Sequence, residues 1–450
     1  MNARNAHTHP LLERAMGDSH QALECDGRAQ SWATRKISPK AQRKGEPEVH
    51  MTDQMRRLST PWSIASERAT RISESNLPPG LILDPAAGSG IHLASICIAT
   101  NRVGLGIELD EEAARFSAAN MNRLLVKGKD PRRLSHRILI GDGTDASGAL
   151  SCLHSSLESS GVSATPPIAM LHVDPARPLD AQNHTLDEMA PPLRPLLEAW
   201  LPHMETDERG PALLLDLSPR LSKAQRGEVN TILDDLIPGV NRTWEWLSQG
   251  GGRIDRLSVW VGPLAGTEGF RSIRMGPKEI QSVVTSREQS LFISEKRTMP
   301  PSFDDWIVVL DPTIVESRLH LDWLRDHIDQ EYQPIWQRAN IRRPILVSKT
   351  PPPESLRNDP FVIAVGQVVA HRLSSPNMEN APTVARAAEK AGIGHLVLRC
   401  EVDPDFHPKI QKRLNKALKG IDGTRGFVID VPVSSRDGRW HVNYVTCSEN

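Results

Sequence analysis

Short apolar runs bounded by glycine and proline alternate along this chain with stretches whose apolar positions recur every three or four residues. The runs Leu81–Leu83, Val103–Ile107, Arg137–Ile140, Ile168–Val173 and Ala212–Leu217 read as buried strands. Between them, Ile91–Thr100, Glu111–Lys127 and Lys223–Leu236 read as helices, the second with acids in its first turn and basic residues near its end. Strands alternating with helices predict an α/β fold on a parallel sheet. Thr243–Leu247 and Arg256–Val261, joined by Gln249-Gly250-Gly251-Gly252-Arg253, predict a closing hairpin. Upstream, Leu58, Trp62, Ala65, Ala69 and Ile72 predict a first helix over Thr52–Ser73, with Pro61 as an alternative start. Residues 1–50 are polar and without sustained period, so disorder is expected there. An RNA-tethering tail, an ordinary leader and a start codon placed too early all fit that segment.

The candidate chemistry gathers at the ends of the strands. Leu81–Leu83 leads into Asp84-Pro85-Ala86-Ala87-Gly88-Ser89-Gly90, then a helix, then a second strand ending at Glu108. Strand, glycine loop, helix, strand and acid make a βαβ nucleotide-binding unit, with the acid placed for a ribose hydroxyl. The third glycine of a dinucleotide fingerprint is replaced by Leu93, and Asp84 would repel a pyrophosphate. S-adenosylmethionine (SAM) has no phosphate and carries an ammonium and a sulfonium. A carboxylate beside a glycine turn suits that cation. The fourth strand ends at Asp174-Pro175-Ala176-Arg177, outside the carboxyl end of the sheet where open α/β folds bind ligands. There Asp174 could accept a proton or hydrogen bond from a nucleophile, and Arg177 could clamp a phosphate or a carboxylate.

Composition narrows the classes. The 450 residues carry a net charge of −1, so no global basic field points to nucleic acid, and such a partner must meet a local patch. Five scattered cysteines with no Cys-x-x-Cys spacing fit reduced thiols in a cytoplasmic protein. No apolar run approaches membrane-spanning length, and no apolar segment follows the first charges as in a secretory signal. No histidine pair has ligand spacing with a carboxylate partner, so no metal site is expected.

The residues Asp84–Gly90 and Glu108 resemble motifs I and II of the class I SAM-dependent methyltransferases. Glu188-Met189-Ala190-Pro191-Pro192-Leu193, Glu245-Trp246-Leu247-Ser248, Val259–Leu264 and Leu310–Val315 follow in order, a series similar to bacterial class I methyltransferases with a THUMP-like C-terminal domain. Leu58-Ser59-Thr60, Ala65, Arg68, Ala69 and Arg71 resemble the segment before that family's core, and Ala391–Arg399 to Gly426–Ile429 its last module. The resemblance implies a Rossmann-like, seven-stranded methyltransferase domain over 51–265, a connecting region over 266–380 and a smaller α+β THUMP-like domain over 381–450. It implies SAM as cofactor, held by Asp84, Ala86, Gly88, Gly90, Glu108 and Asp142, the last at the adenine; Asp142 could equally cap the next helix. It implies Asp174, Pro175 and Arg177 as the catalytic set. Two departures bear on the substrate side: Pro178 stands where the family has a second arginine, and Asp216 stands where it has a lysine.

The C-terminal part adds its own argument. His407–Lys419 reads as a helix with Lys409, Lys412, Arg413, Lys416 and Lys419 on one stripe beside Ile410, Leu414, Ala417 and Leu418. Such a stripe fits a phosphate backbone, although residues 381–450 hold only eleven Lys and Arg against eight Asp and Glu. Seven Phe, two Tyr and ten Trp in the whole chain are too few for a stacking platform. The expected activity is direct methyl transfer to a nitrogen or oxygen of tRNA or rRNA. A SAM- and RNA-binding protein without activity, and a protein or small-molecule methyltransferase, are the competing classes.

Overall fold

In the computed structural model the described residues are 19–127, 136–161, 165–176, 185–290, 300–328, 331–338, 344–434 and 440–449. The chain divides into two compact units, Met1–Arg242 with Ser258–Gly266, and Thr243–Leu257 with Thr267–Asn450. The division falls inside the expected closing hairpin.

In the first unit, seven strands lie side by side: β1 (Gln21–Glu24), β2 (Leu81–Asp84), β3 (Gly104–Glu108), β4 (Arg137–Ile140), β5 (Ile168–Val173), β6 (Leu213–Leu217) and β7 (Arg256–Val261), in the order β1-β4-β3-β2-β5-β6-β7. The pairs β2/β3, β3/β4, β2/β5 and β5/β6 are parallel, as alternating strands and helices require. The chain runs outward from β2 in one direction to β3 and β4, then returns to β5 and β6 on the other side. The crevice at the carboxyl ends of β2 and β5 is therefore the topological switch point of the sheet. Along these strands side chains alternate between faces. Ile82, Met170, Leu214 and Trp260 share one face and one core cluster, and Asp84, His172, Asp216 and Ser258, each two residues along, share that face.

The expectation of disorder over 1–50 is corrected for residues 19–50, and residues 1–18 lie outside the described residues. Strand β1 pairs antiparallel with β4, and helix α1 (Gly27–Lys36) is capped by Asp26, whose carboxylate accepts from the Arg28 and Ala29 amides at 2.9 and 3.0 Å. Trp32 packs on Phe116 at 5.2 Å between ring centres, and Cys25, Val49 and Met51 join the core. Few apolar residues suffice because polar groups finish the attachment. Asn120 exchanges two hydrogen bonds with the His50 backbone, at 2.7 and 2.8 Å.

The single helix expected from Thr52 is two, and the alternative start at Pro61 is the one the structure has. Thr52 caps a short helix at Asp53–Leu58, and α2 (Trp62–Ser73) starts after Pro61. The residue before a proline avoids the helical region, so Ser59 and Thr60 break the periodic pattern that runs through them. Helix α3 (Ile91–Thr100) and helix α4 (Glu111–Lys127) lie where expected.

The second unit holds the strand Arg242–Ser248 parallel to Phe270–Met275, which pairs antiparallel with Ile280–Ser286. Its other sheet has seven strands in the order Ile335–Arg338, Pro344–Ser348, Trp306–Leu310, Val362–Leu373, Trp440–Ser448, Thr424–Ser434, Ile393–Leu398. Two helices, Ala381–Lys390 and His407–Ala417, pack through Val384, Ala388, Ile410 and Leu414 against Ile393, Leu396 and Val428 of that sheet. The expected boundary at 380 is not a break in the structure, because Val362–Leu373 pairs with both Trp306–Leu310 and Trp440–Ser448. Among the described residues no helix is long and apolar enough to cross a membrane.

Candidate active site

The glycine loop is shaped by what lies beneath it. Gly90 caps α3 with φ 72°, and a Cβ there would meet Ser117 Oγ at 2.5 Å, so only glycine fits. Gly88 has φ 51° with no atom closer than 3.9 Å to where a Cβ would stand, an open cradle on the loop. Asn120 of α4 donates to the Ser89 carbonyl at 3.0 Å while holding His50, so the amino-terminal segment supports the loop.

Four expected acids reach the carboxyl-end rim. Glu108, at the end of β3, accepts from the Gly88 amide at 3.0 Å and the Asp110 amide at 3.0 Å. Burial pushes its carboxyl above the usual range, against these amides, which lower it. Leu109, beside it, is 68% exposed, an apolar surface that sequence reading passed over. Asp142 is exposed, and one of its oxygens accepts from the Thr144 amide and hydroxyl, both at 2.8 Å. The cap of the following helix, Ala146–Ser159, is Asp145, so the capping alternative for Asp142 is corrected. Asp174 accepts from the Thr60 hydroxyl at 3.3 Å, and Pro175 is buried. Ser59 Oγ lies 2.7 Å from Ser89 Oγ, so the break before α2 touches both the glycine loop and the end of β5. Arg177 and Pro178 lie outside the described residues.

Asp84 is placed differently from its neighbours. It is buried, its Oδ1 accepts from the Ala86 amide at 3.1 Å, and its Oδ2 lies 2.8 Å from His172 Nδ1. His172 Nε2 in turn lies 3.3 Å from Asp216 Oδ2. Asp216 accepts from Arg68 of α2 at 2.6 and 2.9 Å and from the Ser258 hydroxyl at 2.6 Å. Burial alone would raise the Asp216 carboxyl; Arg68 and His172 hold it well below the usual carboxylate range. Asp216 is therefore an internal charge and not a substrate contact at the rim. Sequence reading missed this row. The signal was a polar residue on the core face of a buried strand, repeated in β5, β6 and β7.

The same row brings His92, His172 and Asp216 ligand atoms within 4.8 Å of one another, a spacing that could hold a metal. The expectation of no metal site rested on sequence spacing, which does not see this meeting of three elements. The donor chemistry weighs against a cation, because Asp216 is bound at both oxygens by a guanidinium and His172 lies between two carboxylates.

In the second unit, Lys409, Lys412, Arg413 and Lys416 are exposed at helical spacings of three and four on His407–Ala417, while Ile410 and Leu414 are buried. Lys419 is exposed but lies beyond the helix end. Arg413 donates to the Met378 carbonyl.

No family model matches the sequence, and no curated protein matches it. Among solved structures the chain is similar to a provisionally named methyltransferase from Porphyromonas gingivalis W83, with TM-score 0.52 and 15% identity over 89% of this chain and 84% of that one. It is also similar to an O-methyltransferase from Bacillus cereus in complex with SAH, with TM-score 0.29 and 11% identity over 52% of this chain and 97% of that one. A provisionally named RNA methyltransferase from Pyrococcus horikoshii gives TM-score 0.29 and 14% identity over 53% and 97%. The first likeness shows the fold alone: this chain is folded as that protein is.

Proposed function

We propose that this chain is a SAM-dependent methyltransferase acting on RNA, with tRNA or rRNA as the substrate class. The observation that carries the reading is the switch-point crevice, where a glycine cradle and the acids Glu108, Asp142 and Asp174 converge at the ends of β2 to β5. The donor set fits SAM. Glu108 suits the ribose diol, Asp142 with the exposed Leu109 suits the adenine, and Ala86, Gly88 and Gly90 form the loop against which its amino-acid end would lie. Asp84 acts from below: it fixes the loop through the Ala86 amide and lends negative field to a bound ammonium. When bound, SAM supplies a methyl group made electrophilic by its sulfonium.

The remaining work belongs to the chain. Asp174, held by Thr60, accepts the hydrogen bond or proton of a substrate nitrogen or oxygen and aims its lone pair at the methyl. Pro175 keeps the end of β5 rigid, and Arg177 would orient the substrate. RNA as substrate rests on the exposed cations Lys409, Lys412, Arg413 and Lys416, with Lys419 just beyond, in a module that resembles a THUMP-like domain.

The burial of Asp216 favours the enzyme over an inactive binding protein, because the departure from lysine is answered by Arg68 inside the fold and leaves the rim acids in place. The test is transfer of tritiated methyl from SAM to RNA of a strain lacking this gene, beside Asp174→Ala. Label in tRNA or rRNA that the variant abolishes is the expected result. SAM binding with no label on any RNA would overturn the substrate assignment.

A further inference from the structure

Resting on the reading of the glycine loop as the SAM cradle, we propose that His172 is a positioning residue. As an imidazolium it ties Asp84, which shapes the loop, to the Asp216–Arg68 pair, so cofactor affinity depends on the charge of a side chain that does not touch the cofactor.

The geometry requires two donors. His172 is 1% exposed, its Nδ1 is 2.8 Å from Asp84 Oδ2, and its Nε2 is 3.3 Å from Asp216 Oδ2. Ionised carboxylates only accept, so with Asp84 and Asp216 both charged the two bonds exist together only when both ring nitrogens carry hydrogen. Charge balance points the same way. The groups facing His172 are Asp84 at the end of β2, Asp216 of β6, Arg68 of α2, Ser258 of β7 and His92 of α3. Two carboxylates against one guanidinium leave one negative charge buried, and a protonated His172 removes it. His92 sits edge-on to His172 at 4.1 Å between ring centres, where a second cation would be repelled. Burial would push the His172 imidazole down, but Asp84 and Asp216 push it up to about 9.

Removing the imidazolium has a directed consequence. Asp216 keeps Arg68, so Asp84 is the acid left without a cation in a dry site. Asp84 then loses the partner that holds its Oδ2 and faces Asp216 with no cation between them, so the acceptor that fixes the Ala86 amide is no longer held in place.

Two measurements on the full chain test this. The first needs no substitution: 15N spectra of the chain labelled at histidine, at pH 7.5. A buried imidazolium with two retained N–H groups that deprotonates only above about pH 8 is expected; a neutral His172 at pH 7.5 overturns the proposal. The second is a calorimetric cycle of SAM affinity with D84N, H172Q and the double variant. Each single change is expected to weaken binding about tenfold or more, with the double no weaker than the worse single, because His172 acts through Asp84. Additive losses overturn it. No SAM binding by the unaltered chain overturns the cofactor reading instead, and the spectra then still decide the charge of His172. Stoichiometric zinc in the purified chain that His92→Asn removes would overturn the proposal by making His172 a ligand.

Discussion

Asp216 of the first unit and Asp311 of the second unit occupy similar places in the sequence and are held by opposite means. Each lies at or near the end of an apolar strand, and each is buried to 2% exposure or less. Asp311 is served mainly from nearby: it caps Pro312–Glu316, accepting from the Thr313 amide and hydroxyl at 3.0 and 2.7 Å, and takes the Ser248 hydroxyl at 2.7 Å. Burial still pushes its carboxyl up. Asp216 is served by charges that arrive from Arg68, 148 residues away, and His172, 44 residues away, and its carboxyl is held down. A local cap is a structural solution available to any helix. A long-range buried charge row carries a large desolvation cost, and it sits directly beneath the crevice where the acids of the rim converge.

Removing the long-range cation breaks that contrast most sharply. Arg68→Met leaves Asp216 buried with the two histidines His172 and His92 and the Ser258 hydroxyl in place of a guanidinium, and is expected to cost ~3–5 kcal/mol in urea unfolding monitored by tryptophan fluorescence. A loss below ~1 kcal/mol would mean that the row is not a charged network.

The pH dependence of stability sharpens the comparison next, with three signs. His172 has a folded pKa raised to about 9, above its unfolded value. Its contribution is complete below about pH 6.5, falls as pH rises and is gone above about 9. Asp216 is depressed, so its contribution is present above about pH 4 and is lost as pH falls through its lowered folded value. Asp311 is raised, so it acts in the opposite sense, and stability declines as pH rises through its folded value. Unfolding midpoints from pH 5 to 10 should fall on the alkaline side for the native chain. H172Q should flatten that fall, and an unchanged alkaline slope in the variant would contradict the assignment.

Much of the first unit was legible because its signals are local. Apolar runs mark the buried strands, Gly88 and Gly90 mark the turn, and an acid closes β2 and β3, with Asp142 and Asp174 just past β4 and β5. Those acids reach one end of the sheet because parallel strands end together. What was illegible depends on pairs far apart in the chain. Arg68 reads as one polar position of an amphipathic helix until Asp216 is beside it. Residues 19–50 read as solvated because their attachment runs through His20, His50 and Asn120, and polar anchors have no period. His20 lies buried 3.0 Å from the Asp142 carbonyl. The boundary at 380 was misplaced because Val362–Leu373 pairs with a strand some seventy residues later.

A smaller effect tests the local half of the contrast. Asp311→Ala removes a cap and the acceptor of Ser248, and is expected to cost ~1 kcal/mol, with Asp311→Asn closer to neutral because asparagine caps nearly as well. Both should leave SAM affinity unchanged. A loss for Asp311→Ala as large as that for Arg68→Met would erase the distinction between capping and long-range charge pairing.

The smallest effect on stability belongs to charges that face water. Lys412 and Lys416 are exposed, one helical turn apart, on the side of His407–Ala417 away from Ile410 and Leu414. Reversing both to glutamate should shift unfolding by less than ~0.5 kcal/mol each, since no buried acid depends on them. The same change places two negative charges where the proposed RNA backbone would lie. Each phosphate contact releases counterions on binding, so losing two should weaken RNA affinity at low salt and reduce the slope of log affinity against log salt by about one to two. Filter binding of tRNA across 50 to 300 mM salt reads both quantities on a chain whose stability is unaltered. An unchanged slope would remove this helix from the RNA contact while leaving the acids of the first unit, and the cofactor they are proposed to hold, untouched.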